Sequence, residues 1–174
     1  ALAGSDTLGT ARTLAAAINK IGDVRVALFG KQAIDGDSGH VPVQTARVLG
    51  WTPLTYVSAI KAVDGDSITV ERLTDDGKET LTAKLPVVIS VVKEINEPRY
   101  PSFMGIRKAS KAVIPTWSAG DIGVSEVGPA AARTDWTKVY PVPPREGEVE
   151  MIVADSAEEQ ARILVNKLFE EKVI

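Results

Sequence analysis

The sequence predicts an α/β fold in which one sheet mixes parallel and antiparallel strands, and three stretches predict it. A short apolar run, Asp23 to Phe29, leads through a loop rich in Gly and Asp into a helical segment, Pro42 to Leu49. Leu54 to Leu85 holds three β-rich runs joined by Asp-Gly turns, the pattern of an antiparallel meander. Pro86 to Val92 is apolar on both faces, the mark of a buried central strand.

In order, Ser5 or Asp6 caps a first helix running to about Ile21. Leu8, Ala11, Leu14, Ala15, Ile18 and Ile21 share one face of it, and Gly22 ends it. Capping accounts for Asp6 and Thr7 more simply than a ligand role, because Asp and Thr favour helix starts in any case. No strand precedes this helix, so its parallel unit is expected to be incomplete at this end. The second helix has Pro42 in its first turn and Gly50 as its stop. In the meander, Asp64-Gly65 turns into Ser67 to Leu73, where Ile68, Val70 and Arg72 alternate with Thr69 and Glu71. Asp75-Asp76-Gly77 turns into Glu79 to Leu85. A short helix is expected over Ile106 to Lys111, an edge strand over Val113 to Trp117, and a last strand over Trp136 to Val142. Pro143 to Gly147 reads as a linker. Beyond it, Ser156 and Glu159 form a capping box, followed by a stripe of Ala161, Leu164, Val165 and Leu168. The expected division is therefore residues 1–142 and an arm, 143–174.

Composition removes several classes of chemistry. The net charge of −3 and pI near 5.3 argue against a nucleic-acid partner, which needs a basic face. The absence of cysteine excludes disulfides, thiol redox chemistry and cysteine-ligated clusters, and a single histidine leaves no His-based metal site or triad. No apolar run approaches membrane-spanning length, and the first residues lack the pattern of a signal peptide, so a soluble intracellular chain is expected. No paired carboxylates, nucleophile–base pair or metal spacing marks an active site.

Two segments carry candidate function. The first is Gly30 to Val41. A strand, a glycine loop and a helix start can hold a phosphate, because the N–H groups of the first turn are free and the helix dipole adds positive charge. The spacing is neither a Walker A loop nor a GxGxxG fingerprint, and an ordinary βα turn has the same composition. A calcium loop is excluded, since Ala46 falls where its closing Glu would be. The second segment is Asn96 to Ile106, where prolines and a glycine break all periodicity around Phe103 and Met104, beside Arg99, Arg107, Lys108 and Lys111. The basic cluster reads as a solvated face or as a steering surface, and Phe103 as a loop residue folded into the core or as a contact for a partner.

GKQAIDGDSG from Gly30, then KLPVVISVVKEINEPRYPSFMGIRKASK from Lys84, then SAGDIGV from Ser118, resemble the β subunit of electron transfer flavoproteins. The similarity runs from Ser5 to about Lys172 and begins part-way into the family pattern, roughly the first third of which is absent. The resemblance implies a parallel sheet like that of adenine nucleotide hydrolases, with an added antiparallel portion and a C-terminal helical arm on a partner. It implies an electron carrier and not an enzyme, with AMP (or a second FAD) in this subunit and FAD shared with or held by an α subunit. The implied partners are that α subunit and acyl-CoA dehydrogenases or quinone oxidoreductases, in the cytoplasm or the mitochondrial matrix. On this resemblance Gly30, Lys31, Gln32, Ala33, Asp35, Ser38, Gly39, His40 and Val41 form the nucleotide loop, with Gly39, His40 and Val41 offering N–H groups to phosphate. Arg99, Tyr100, Phe103, Met104, Ile106 and Arg107 form the docking segment. His40 stands where the family has an amide side chain. A stand-alone AMP- or ATP-binding module like the universal stress proteins, and a small hydrolase or ligase of the same fold, are the alternatives.

Overall fold

The Asp6 side chain accepts the Gly9 N–H and opens helix α1, Thr7–Ile21, which Gly22 closes in a positive-φ conformation. The structure, a computed structural model, describes residues 2–144, 146–147 and 149–174, and divides into two units, Ala1–Asp135 and Trp136–Ile174. The expected boundary at 142/143 lies inside the second unit, and Arg145 of the expected linker lies outside the described residues.

In the first unit, α1 is followed by β1 (Val26–Gly30), α2 (His40–Leu49) and β2 (Thr52–Asp64). Then come β3 (Ser67–Thr74), β4 (Gly77–Lys84) and β5 (Val87–Val91). The strands form one mixed sheet in the order β1-β5-β2-β3-β4. β5 runs parallel to both β1 and β2, while β2, β3 and β4 pair antiparallel. Val87, Val88, Ile89 and Ser90 of β5 are all buried, as an apolar run covered on both faces should be. β1 starts at Val26, later than its apolar pattern, because Gly22 and Asp23 both take positive φ and turn the chain first.

The two faces are covered differently. On one, Ala27 and Val88 meet Ala46 of α2, with Ile18 of α1, Phe29, Leu49 and Trp51 around them. Small residues, Ala11 and Ala15 among them, face inward from α1, while Ile21 at its end is exposed. On the other face, Leu54, Val57, Val87 and Ile89 meet Ile68 and Val70, with Leu81 and Ala83 behind them. Register shifts after Val57 and after Ile60 break the β2–β3 ladder. Such irregularities bend a long strand, and here the meander's apolar side packs with β5 in one core.

Three expected elements differ. The helix expected over Ile106 to Lys111 is α3, Phe103–Ala109, because the Ser102 hydroxyl accepts the Gly105 N–H and starts it three residues earlier. Val113 to Trp117 is not a strand. Val113 and Ile114 are exposed without a ladder partner, and Trp117 instead lies under the Lys20 ammonium, 5.0 Å from its ring centre. The same Lys20 donates to the Asp121 carbonyl at 2.6 Å. Trp136 to Val142 is likewise not a strand, since among the described residues its own unit holds no strand to pair with. That unit contains α4, Ala157–Glu170, which the Ser156 hydroxyl caps by accepting the Glu159 N–H. Leu164, Val165 and Phe169 of α4 are exposed.

Candidate functional site

Because β1, β5 and β2 run parallel, the segments leaving β1 and β5 emerge at the same edge of the sheet. They then go to opposite faces. The chain after β1 reaches α2, which packs with Ala27 and Val88, whereas the chain after β5 turns through Lys93–Ile95, where Ile95 packs with the Leu54 and Ile89 cluster. Adjacent strands whose connections diverge leave a crevice outside their C-terminal ends, the usual ligand position in such sheets.

The Gly30 to Val41 loop lies at this crevice. Its shape is fixed internally: Gln32 donates from its side-chain amide to Asp37, Asp37 N–H donates to the Ala33 carbonyl at 2.8 Å, and Asp35 accepts the Gly36 N–H at 2.8 Å. Asp37 and Gly39 take positive φ, which returns the chain sharply into α2. Gly39 is the N-cap of α2, and no side chain caps that helix. The helix begins at His40, so His40 and Val41 lie inside the first turn, whereas the sequence placed them just before it. Their N–H groups, with none from Pro42, are the uncommitted donors of this helix end. That donor set suits an anionic ligand such as a phosphate. Ala33, Asp35, Ser38 and His40 are exposed along the loop, and Gln32 is half-buried.

A cleft of about 560 Å³ opens beside the loop, lined by Lys31, Thr55, Tyr56, Arg72, Thr74 and Val92 among others. Tyr56 sits at the break in the β2–β5 register between Leu54 and Val57, with φ of 56°, and its N–H donates to the Ser90 hydroxyl at 3.2 Å. Its ring lies under the Lys31 ammonium at 5.4 Å, and a Cβ added to Gly39 would stand 3.8 Å from its hydroxyl. Arg72 is tied to Glu79 at 2.7 Å. Sequence reasoning read Tyr56 only as part of a β-rich run. The strand break that turns it towards the loop leaves no trace in an uninterrupted β pattern.

The second candidate segment is separate from this crevice in sequence and is uniformly exposed. Tyr100 is 99% exposed, Phe103 79%, Met104 68% and Ile106 54%, so Phe103 is not a core residue. Arg99, Arg107, Lys108 and Lys111 are also exposed, and among the described residues none of the four enters an ion pair. Among the described residues there is also no group of His, Cys, Asp or Glu that could hold a metal, and no helix long and apolar enough to cross a membrane.

Residues 1–122 match the family model described as the electron transfer flavoprotein domain. The chain is 41% identical to the caffeyl-CoA reductase-Etf complex subunit CarD of Acetobacterium woodii, over 100% of this chain and 66% of that protein. It is 37% identical to the electron transfer flavoprotein subunit beta of Megasphaera elsdenii, over 99% of this chain and 67% of the relative. It is 36% identical to protein FixA of Bradyrhizobium diazoefficiens, over 96% of this chain and 60% of the relative. The chain thus spans about two thirds of the length of the curated relatives it matches. With a mixed α/β sheet as its core and similarity along its whole length to named β subunits, the chain belongs to the electron transfer flavoprotein family, on the β-subunit side.

Proposed function

We propose that this chain acts within an electron transfer flavoprotein β subunit, pairing with a flavin-bearing α subunit, holding an adenine nucleotide such as AMP, and docking redox partners. The observation that carries the reading is the first turn of α2. It is uncapped, begins at a positive-φ glycine, and opens at the crevice outside the parallel strands. A nucleotide phosphate there accepts N–H groups from Gly39, His40 and Val41, and Lys31 adds a positive charge at the loop's start. Lys31, Gln32 and Ala33 face the nucleotide side, with Asp35 and Ser38 shaping the turn. FAD is the electron-carrying group of this assembly and is supplied through the α subunit; this chain's residues bind, orient and dock. Tyr100, Phe103, Met104 and Ile106 bury themselves in an acyl-CoA dehydrogenase or quinone oxidoreductase, steered by Arg99 and Arg107.

The test is nucleotide titration of the full-length heterodimer by calorimetry. Val41→Pro removes one donor at a first-turn position that tolerates proline. Losing one charge-assisted hydrogen bond costs roughly 1.5–3 kcal/mol, so AMP should bind about 10- to 150-fold more weakly. Unchanged AMP affinity in Val41→Pro protein would refute the phosphate assignment.

A further inference from the structure

Asp6 divides its carboxylate between two tasks. Oδ1 accepts the Gly9 N–H at 2.7 Å and so caps α1. Oδ2 accepts from a distant part of the chain: the Arg133 N–H at 2.7 Å, the Thr134 N–H at 3.1 Å and the Thr134 hydroxyl at 3.2 Å. The segment it holds is seated by close contacts. Gly128 to Ala131 forms a turn whose Ala131 is 2% exposed, and a Cβ on Gly9 would lie 3.1 Å from the Cβ of Ala131. A Cβ on Gly4 would lie 2.7 Å from the Pro129 ring. Larger residues at either position would push this turn off the start of α1. Thr134 is the second residue before Trp136, where the second unit begins.

We propose that Asp6 is a positioning residue for the C-terminal unit: its Oδ2 clasps Arg133 and Thr134 to the start of α1 and so fixes the point from which Trp136–Ile174 departs to meet a partner subunit. The second half of this statement rests on the heterodimer reading given above, and the first half does not. Holding the departure point fixed lowers the ordering cost of binding through the chain that follows it.

Donor and acceptor counting supplies a selective variant. In Asp6→Asn one side-chain atom remains a carbonyl oxygen and the other becomes an NH₂ donor. With the oxygen turned to Gly9 the α1 cap survives, since Asn caps as well as Asp, but the NH₂ then faces the N–H groups of Arg133 and Thr134, two donors it cannot satisfy, and only the Thr134 hydroxyl can turn to accept from it. The clasp opens while the cap is kept. Thr134→Val is the milder control, because it removes only the hydroxyl contact.

The experiment is amide hydrogen exchange on the full-length protein, alone and with its flavin-bearing partner, for wild type, Asp6→Asn and Thr134→Val. In Asp6→Asn the amides of Arg133 and Thr134 should exchange roughly tenfold faster or more, with α1 and the sheet unchanged. Partner association should weaken several-fold, and Thr134→Val should lie between. Unchanged exchange at 133 and 134 would overturn the clasp. A general loss of protection along α1 would reduce Asp6 to a helix cap. Opened amides with full partner affinity would overturn the positioning role, whereas wild-type protein that bound no α subunit would sink the heterodimer reading and leave the clasp to be judged by exchange alone.

Discussion

The Asp6 carboxyl is held at about 2, well below the usual 3.8, by the Gly9 N–H first and the Arg133 N–H next, with burial opposing and Thr134 adding to the effect. A folded value below the unfolded one means the ionised form stabilises the fold. Its contribution is complete above about pH 4 and is lost as pH falls towards 2. Asp6→Ala should therefore destabilise the protein by about 1–2 kcal/mol at neutral pH through the lost cap. The gap between wild type and variant should close in urea melts between pH 4 and 2; a gap independent of pH would mean the charge is not what matters. Asp6 was legible as a cap from Ser5-Asp6-Thr7 alone, since capping is local. Its second oxygen was not, because nothing local marks Arg133 and Thr134 as its partners. Gly39 divides the same way. The sequence marks it as a glycine before a helix, but the backbone shows why it must be one: a Cβ there meets only ordinary contacts at 3.6–3.8 Å, so φ of +62°, not space, excludes side chains. Gly39→Val should accordingly lose about 1–2 kcal/mol of stability from left-handed strain, in addition to any loss of nucleotide.

At the scale of elements, the hairpins and the buried strand were readable because their signals are short-range, although the two-residue turns are Gly65-Asp66 and Asp75-Asp76, one residue on from Asp64-Gly65 and one short of Gly77, which set Asp64 opposite Ser67 and Thr74 opposite Gly77. The failures, Val113 to Trp117 and Trp136 to Val142, are apolar stretches whose strand pattern lacked a partner strand, which only the tertiary fold could reveal. α3 was readable as a helix but not in its start, because Ser102 does the capping from within a Pro-rich stretch. That start matters for function, since it places Phe103 and Met104 on the helix and leaves both in solvent. A Phe exposed to 79% contributes little to the core, so Phe103→Ala should leave the melting temperature within about 1 °C of wild type. If Phe103 anchors a redox partner, the same change should weaken that contact by about 2–4 kcal/mol. Melting and electron transfer from a dehydrogenase to the heterodimer, measured side by side, decide it: a lowered melting point with intact transfer would remove Phe103 from the docking surface.

At the scale of the whole molecule, the two sheet edges are unequal. β4 at one end carries Lys78, Glu79 and Lys84, charges that discourage another strand from pairing there. β1 at the other end reads Val-Ala-Leu-Phe-Gly, with no charge along its length and Leu28 62% exposed. An unguarded apolar edge is a template for strand addition, so the 174-residue chain by itself should associate through β1. In sedimentation velocity it should run as dimers or larger species at micromolar concentration. Leu28→Lys should shift it towards monomer, since an exposed position accepts the charge with a cost within about 0.5 kcal/mol of folding stability. The relatives of this chain are half as long again, and a further strand along β1 in a longer polypeptide would remove the edge altogether. Association that persists undiminished in Leu28→Lys protein would place the contact elsewhere, and a wild-type chain that sediments as a single monomer would show that this edge is not adhesive.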